Sequence, residues 1–279
     1  MIRLSAIHLH PVKSTAVRPV THADVEPWGL RGDRRWMVVD ADGECVTARE
    51  ERALLAITAD TPATDRALPA ALRLRTHDHE TIELSVPEGE PRPVTVHRRS
   101  LEAVDAPAWA SAWMQSVLRR SDLTLVHVHR GRALNPAHSS PGDATAFADA
   151  YPVTLASAAS LERLRSWVTE TAIERGEEPG SPLAVERFRP NLVVEGDLEP
   201  FEEDRWTRVK VGPVTFRVVK PVDRCVLTTV DPVTLDRGPE PIRSLARHRT
   251  WDGATWFAVQ LVPDVVGTIR LGDDVQPDR

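Results

Sequence analysis

The sequence is poor in cysteine: its 279 residues include two, Cys45 and Cys225. Two cysteines so far apart cannot build a disulfide framework or a multi-cysteine zinc site. They also cannot supply the four thiolates that hold a typical iron–sulfur cluster. We therefore expect any redox chemistry to use a cofactor from outside the chain and electrons from a separate donor.

Long apolar runs and an excess of basic residues are also missing. No run approaches the roughly 18 apolar residues needed to cross a bilayer, and the first residues, MIRLSAIHLHPVKS, are too polar for a secretory signal. The formal net charge is -6 and both signs are mixed along the chain, which argues against a nucleic-acid-binding surface. We expect a cytoplasmic protein with neither a membrane nor a nucleic acid as partner.

Several common catalytic motifs are absent. The sequence contains no G-x-G-x-x-G, no Walker A loop, no H-E-x-x-H and no G-x-S-x-G. It therefore does not fit a nucleotide-binding α/β enzyme or a serine hydrolase.

Short β-branched runs dominate what is present, and Gly, Pro and Asp turn signals separate them. The stretches RRWMVVDADGECVTA and TRVKVGPVTFRVVK predict two hairpins, turning at Asp42-Gly43 and Gly212-Pro213. This pattern predicts a β-rich α+β fold. The remaining predicted strands cover 123–129, 192–195, 226–230, 257–262 and 267–271.

Two segments have helical periodicity. In the first, Trp109, Trp113 and Val117 recur every four residues; the second starts at a capping Ser157 and ends at Gly176. Residues 130–151 have no clear period, and loops of this length are usually functional or disordered. We expect this loop to border a substrate opening. A domain boundary is predicted near residue 122.

Cys225 lies in the stretch KPVDRCVLTTVD. The adjacent Arg224 and nearby Lys220 could lower the pKa of its thiol, whereas Asp223 acts in the opposite direction. On a strand, Cys225 would share a face with Leu227. Unpaired cysteine is also among the most buried residue types, so the local sequence leaves both a reactive thiolate and a packed core thiol open. Core packing is the favoured interpretation for the other cysteine.

Other polar patterns carry weaker signals. Three His-x-His pairs could each give two metal ligands from one strand face, but no third ligand stands at a characteristic spacing. A proline between Arg189 and Asn191 favours extended backbone, which would point both side chains the same way. Lys13-Ser14 at a strand end, and Arg34 after a tight turn, are plausible anion-binding groups. The histidine pairs are His8/His10, His77/His79 and His127/His129.

Taken in order, HPVKS, GLRGDRRWMVVD, VTARE, FRPNLVV, RCVLTTVDP and GTIRLGDDV resemble the MOSC family. More specifically, they resemble proteins in which a MOSC N-terminal β-barrel domain precedes a MOSC domain, a group that includes the amidoxime-reducing components. The resemblance implies a β-barrel-type domain, residues 1–122, packed against a MOSC β-barrel domain, residues 123–279, with a few helices.

The resemblance also implies a site for a molybdenum cofactor, in which a metal is held by the dithiolene of molybdopterin. Cys225 would be the metal ligand, and a soft thiolate suits such a metal. The remaining matched positions would bind the anionic end of the cofactor, hold its pterin or line its pocket: Lys13, Ser14, Arg34, Arg189, Asn191, Asp223, Arg224 and Gln260.

The activity implied by the resemblance is an oxidoreductase that reduces small N-hydroxylated compounds. Electrons would come from an external ferredoxin-, flavin- or cytochrome-type donor. A cofactor carrier or storage protein, or a sulfur-transfer protein without turnover of its own, would use the same motifs. Turnover of an N-hydroxylated substrate would separate these alternatives.

Overall fold

A computed structural model describes residues 1–178 and 180–279. Its strands are short in the first half and longer towards the C-terminus. The first ten are β1 Ile2–Leu9, β2 Arg18–Val20, β3 His22–Glu26, β4 Gly29–Leu30, β5 Trp36–Val39, β6 Thr58–Asp60, β7 Leu72–Arg75, β8 Ile82–Leu84, β9 Arg92–Val96 and β10 Arg99–Asp105. They are followed by β11 Thr124–Val128, β12 Arg132–Ala133, β13 Ala144–Thr145, β14 Val153–Ser157, β15 Leu192–Gly196, β16 Arg208–Val211, β17 Val214–Asp223, β18 Thr250–Trp251, β19 Ala254–Val265, β20 Gly267–Arg270 and β21 Asp274–Asp278.

Helices are fewer than strands in the described chain. The α-helices are α1 Ala108–Leu118, α2 Ala158–Glu174 and α3 Ile242–His248. Short 3-10 helices cover Arg52–Ala56, Pro136–His138, Val185–Phe188, Glu202–Arg205 and Val226–Thr229. Among the residues described, no helix is both long and apolar enough to cross a membrane.

The chain divides into two compact units. The barrel unit contains Met1–His8, Thr21–Val25 and Val153–Arg279, and the sheet unit contains Leu9–Val20 and Glu26–Pro152. The chain passes for the last time from the sheet unit to the barrel unit after Pro152. The domain limits drawn from the sequence at residue 122 stay a prediction.

Seven strands of the barrel unit close into a ring in the order β14-β15-β1-β21-β16-β17-β19, with β19 pairing back to β14. The β14–β15 pair is parallel and the other neighbours are antiparallel. Register shifts between Val218 and Lys220, and between Pro221 and Asp223, interrupt the β17–β19 ladder. Such bulges bend and twist a strand pair, which helps a sheet to close. The β-barrel architecture expected from the sequence is confirmed.

Helix α2 packs on this unit as its sequence predicts. The side chain of Ser157 accepts a hydrogen bond from the Ser160 amide at 3.1 Å, which caps the helix. Leu161 and Leu164 are buried on its inner face. Helix α3 was not predicted: it has seven residues, and Leu245 is its fully buried apolar side chain. One fully buried apolar position is too little for a helical period to be recognised in the sequence.

The sheet unit contains a four-stranded antiparallel sheet in the order β5-β11-β10-β9 and a three-stranded sheet, β6-β7-β8. Met37, Val126 and Phe147 belong to the core on the larger sheet. The turn predicted at Asp42-Gly43 is present: Gly43 has a φ of 79°, and Cys45 bridges back to β5. The predicted hairpin is therefore confirmed.

The segment 130–151 is more ordered than its sequence indicates. Strands β12 and β13 pair with each other inside it. Arg132 Nη2 donates to the Ala148 carbonyl oxygen at 2.8 Å, and Phe147 is fully buried. Isolated contacts of this kind hold a segment in place without requiring apolar residues at regular intervals in its sequence. The interpretation of 130–151 as one long irregular loop was therefore incomplete.

The predicted strand 226–230 is a 3-10 helix over most of its length. The Thr228 hydroxyl donates to the Cys225 carbonyl oxygen at 3.0 Å, and the Thr229 hydroxyl donates to that of Val226 at 2.7 Å. These bonds to carbonyls three residues back favour a helical turn over an extended strand. Strand alternation therefore does not apply, and the expectation that Cys225 shares a strand face with Leu227 was wrong.

Candidate functional site

Cys225 immediately precedes the 3-10 turn that follows β17, where its side chain is half-buried. Its neighbour Val226 is 36% exposed, so the turn reaches the surface. Cys45 differs, because burial raises the pKa of its thiol to about 11. A thiol with this pKa stays protonated near neutral pH and is a poor metal ligand. Cys225 is therefore the better placed of the two cysteines for a thiolate role.

Arg224 holds the backbone on which Cys225 lies. Its Nε donates to the Phe257 carbonyl oxygen at 2.8 Å and its Nη1 donates to that of Phe188 at 2.9 Å. The guanidinium also lies 5.4 Å from the centre of the Phe188 ring and 5.9 Å from that of the Phe257 ring. The Arg224 amide donates to the Thr255 carbonyl oxygen at 2.7 Å. These contacts make Arg224 a brace for the Cys225 turn.

A second brace was missed in the sequence. Arg187 Nη2 donates to Asp231 Oδ2 at 2.7 Å and so joins the 3-10 helix Val185–Phe188 to the residues that follow the 3-10 helix after Cys225. The other Asp231 oxygen accepts from the amides of Val233 and Thr234 at 2.9 and 3.0 Å. These amide bonds, and then Arg187, lower the pKa of the Asp231 carboxyl. The sequence signal for this contact was the aspartate before proline in TVDP, because such an aspartate commonly starts a turn.

Arg189 differs from its sequence interpretation. Its φ is 51°, in the left-handed region, and its amide donates to the Glu186 carbonyl oxygen at 3.0 Å to close the preceding 3-10 turn. The proline after it therefore does not hold an extended backbone at this position. Alternation cannot align Arg189 with Asn191, and that expectation was wrong. Arg189 still lies next to Phe188, whose carbonyl receives the Arg224 guanidinium.

Asn191 is 1% exposed, and backbone groups engage its amide. Its Oδ1 accepts from the Thr154 amide at 3.2 Å, and its Nδ2 donates to the His8 carbonyl oxygen at 3.1 Å. The backbone of Asn191 also bonds to these residues, at 2.8 Å each. Asn191 therefore ties together β1, β14 and the start of β15.

Gln260 and Asp223 complete the predicted set in the barrel unit. Gln260 lies on β19, paired with Thr154 and Lys220, and is 7% exposed. Its Oε1 is buried, and no hydrogen-bond partner for it lies among the described residues. Asp223 ends β17 and is exposed, and within the described chain its carboxylate forms no ion pair or hydrogen bond.

Lys13 and Ser14 lie in the sheet unit, and both are buried. Lys13 Nζ donates to the Phe147 carbonyl oxygen at 2.7 Å and also bonds to Asp149. Ser14 has a φ of 70°, which is strained for a residue with a side chain. A strained backbone position beside a buried lysine is typical of a binding loop.

Arg34 lies in the same unit and also has a positive φ, 49°. Its Nη1 donates to Asp33 Oδ2 at 2.5 Å, and its carbonyl oxygen accepts from the Phe147 amide at 3.1 Å. Residues 147–149 therefore contact both Lys13 and the Arg34 backbone. This brings together the three sheet-unit residues predicted from the sequence.

Asp149 is the residue of this cluster that the sequence did not reveal. Its carboxylate bonds to Lys13, accepts from Arg49 Nη2 at 2.8 Å and lies 3.2 Å from His97 Nε2. Burial by itself would raise the pKa of Asp149, but Lys13, His97 and Arg49 outweigh burial and hold it well below the ordinary value. No motif signals this hub, because its partners are far apart in the sequence.

The described residues contain no group of three or more His, Cys, Asp or Glu side chains that could hold a metal ion. Of the three His-x-His pairs, the one on β11 is informative. Burial, and then the charge of Arg35, lower the pKa of His127 to about 4. This histidine is neutral near pH 7 and packs edge-on against Trp36, with ring centres 4.6 Å apart.

The arrangement offers one accessible soft ligand, Cys225, on a turn braced by arginines, and one buried unsatisfied amide oxygen on Gln260 in the same unit. The sheet unit adds a cluster of cationic side chains around Asp149, of which Lys13 is buried. A single protein thiolate can hold a metal only if another group supplies the remaining ligands. Cys225 could therefore contribute one ligand to a metal whose remaining ligands a larger cofactor supplies.

Comparisons with known proteins give two family matches along the chain. Residues 1–121 match the family model described as the MOSC N-terminal beta barrel domain, and residues 142–276 match that of the MOSC domain. The chain is 30% identical to mitochondrial amidoxime-reducing component 1 of Mus musculus, over 98% of this chain and 81% of the relative, and 29% identical to that of Homo sapiens, over 98% and 82%. It is 30% identical to a molybdenum cofactor sulfurase of Anopheles gambiae, over 93% of this chain and 34% of that protein.

Proposed function

Because the chain belongs to the MOSC family, with a MOSC N-terminal beta barrel domain followed by a MOSC domain, we propose that it binds molybdenum cofactor and reduces N-hydroxylated compounds. The observation that carries the proposal is the half-buried thiol of Cys225 on its braced turn. Relatives named amidoxime-reducing components match 98% of the chain, which supports this reaction class.

The barrel-unit residues fit such a cofactor. Cys225 provides a soft sulfur ligand, and the Gln260 amide oxygen is buried without a partner in the described chain. A buried polar atom of this kind is costly unless a ligand or water satisfies it. In the proposal Cys225 holds the metal, Gln260 meets the bound group, and Arg189 and the exposed Asp223 contact its organic part.

Two other predicted residues act on the backbone that carries the site and do not contact the cofactor in this proposal. Arg224 fixes the Cys225 turn by binding two carbonyl oxygens, and Asn191 fixes three strands by binding backbone groups. In the sheet unit, Lys13, Ser14 and Arg34 remain our candidates for the anionic end of the cofactor. A negative group buried near Lys13 would compete with Asp149 for the ammonium, so Asp149 sets how much positive charge is available there.

Bound molybdenum cofactor would supply two-electron oxygen-transfer chemistry for this reduction. The protein's part is to hold the metal through Cys225 and to neutralise negative charge with buried cations. Electrons would come from a ferredoxin-, flavin- or cytochrome-type donor. The substrate is a small N-hydroxylated compound, and we place the protein in the cytoplasm as a prediction from its sequence.

The test is the molybdenum and released-pterin content of protein made in a cofactor-competent host. We expect about one molybdenum per chain in the parent protein, a large loss in Cys225→Ala, and no loss in the matched variant Cys45→Ala. Well-folded parent protein that lacks both molybdenum and pterin would refute cofactor binding.

A cofactor carrier or a sulfur-transfer protein is the second candidate. It is favoured by the match of 93% of this chain to a protein named molybdenum cofactor sulfurase. Loaded protein supplied with a chemical reductant and an amidoxime separates the two. Catalytic turnover that depends on Cys225 supports the reductase, and loaded protein that never turns over supports the carrier.

A further inference from the structure

The sheet unit contains an open cleft that the proposed cofactor role does not use. It has a volume of about 860 Å³ and lies between β9, β10 and the segment 130–136. This volume is within the range of about 300–1,000 Å³ that is usual for small-molecule sites. We call it the arginine cleft, because Arg99, Arg130 and Arg132 line it.

The charges that line the arginine cleft do not cancel. Glu102, its one acidic lining residue, pairs with Arg130 at 2.9 Å. The Arg99 side chain forms no hydrogen bond or ion pair with any described residue, and it is half-buried. Its cationic head therefore remains available to a ligand.

Arg132 adds a second positive charge near Arg99 that has no carboxylate bound to it. It is 6% exposed, and its Nη2 donates to the carbonyl oxygens of Ala148 and Asp149 at 2.8 and 3.4 Å. Its Nε and Nη1 have no acceptor among the described residues. Burial, and then the charge of Arg99, lower the pKa of Arg132 to about 10, so it is still cationic near neutral pH.

The neighbouring carboxylate of Asp149 acts to raise the pKa of Arg132 but forms no ion pair with it, because it is engaged elsewhere. It binds Lys13, Arg49 and His97, and Arg132 reaches only its backbone oxygen. A buried guanidinium without a carboxylate partner is costly, and an incoming anion would relieve that cost. Leu101 and Leu134 also line the cleft and offer apolar surface to an organic body.

We propose that the arginine cleft binds the oxyanion group, phosphate or carboxylate, of a small organic molecule. Arg99 contacts the oxyanion, and the buried Arg132 strengthens the attraction from behind. All of these groups lie within residues 93–136, so the site stands whether or not the chain binds molybdenum cofactor.

The test is isothermal titration calorimetry of the full chain at low ionic strength with four probes: inorganic phosphate, acetate, adenosine monophosphate and N-acetylglutamate. We expect binding of at least one probe that weakens as salt is added. Arg99→Glu should weaken it at least tenfold, and the milder Arg99→Gln should weaken it less. The control Arg163→Glu makes the same charge change at an exposed position on α2, outside the cleft, and should leave binding within twofold of the parent.

The probes also identify the ligand class. An organic anion that binds more tightly than its inorganic counterpart supports a small-molecule site with an organic body, and equal binding supports a site for the free oxyanion. Two results would overturn the proposal: no probe binds at millimolar concentration, or folded Arg99→Glu protein, checked by circular dichroism, binds as the parent does.

Discussion

Replacing Asn191 with alanine tests whether this residue acts on the fold or on a cofactor. The change removes the acceptor of the Thr154 amide and the donor to the His8 carbonyl, at 3.2 and 3.1 Å. His8 is 4% exposed and Asn191 1%, and the bond to the Thr154 amide is partly buried, so water cannot fully replace either bond. An unsatisfied buried polar group costs about 1–3 kcal/mol. We therefore expect Asn191→Ala to lose about 2–6 kcal/mol of unfolding free energy without any cofactor.

Two measurements on cofactor-free protein check this value. Urea denaturation gives the loss of stability, and amide hydrogen exchange at Thr154 gives the local effect, because that amide loses its acceptor. Asn135→Ala is the matched control: its Oδ1 accepts one bond, from the exposed Ala137 amide at 3.1 Å. Loss of that cap should cost about 1 kcal/mol or less.

The opposite outcome is equally informative. If cofactor-free Asn191→Ala keeps its stability and its slow exchange at Thr154, the backbone bonds do not carry the role assigned to them. Loss of molybdenum from such a variant would then show that the amide acts on the cofactor directly, and the structural reasoning would be wrong.

Three further outcomes are expected. Burial raises the pKa of the Glu203 carboxyl, so ionisation of Glu203 destabilises the fold. Glu203→Gln should therefore gain stability over the parent as pH rises above about 4.3. A difference in melting temperature between the two proteins that does not change with pH would contradict this. Arg224→Lys replaces the separate Nε and Nη1 donors to the Phe257 and Phe188 carbonyls with one nitrogen that cannot occupy both positions, so it should lose about 2–4 kcal/mol in urea denaturation, with less molybdenum. Unchanged values, as expected of Arg163→Lys, would argue against the brace. Iodoacetamide at pH 7.5 should label Cys225 well before Cys45, whose thiol pKa is about 11; equal rates by peptide mass spectrometry would refute the distinction.

Local signals in the sequence were sufficient for much of the fold. Asp42-Gly43 and Gly212-Pro213 mark real hairpins because a glycine at positive φ, 79° and 54°, begins or ends each turn. Ser157 caps α2 as predicted. Each of these features depends on residues close together in the chain, so the pattern and the structure report the same interactions.

The misplaced features depend on contacts that are distant in sequence or on competing local bonds. The threonine hydroxyls turned the predicted strand after Cys225 into a 3-10 helix. Asp149 gains its role from Lys13, Arg49 and His97, which are 136, 100 and 52 positions away. Only the tertiary fold brings such groups together, so no spacing rule could have found them.

The motif residues therefore fall into two physical classes, although the sequence presents them as one set. Under the proposed function, Cys225 and Gln260 offer a sulfur and an amide oxygen to the cofactor, because the Gln260 oxygen has no partner in the described chain and Cys225 is half-buried. Asn191 and Arg224 instead bind backbone carbonyls and amides. If the chain binds molybdenum cofactor, substituting either class should lower cofactor content, by removing a contact in the first case and by loosening the turn or strands in the second. Only measurements on the cofactor-free protein separate the two, because the second class alone changes its stability.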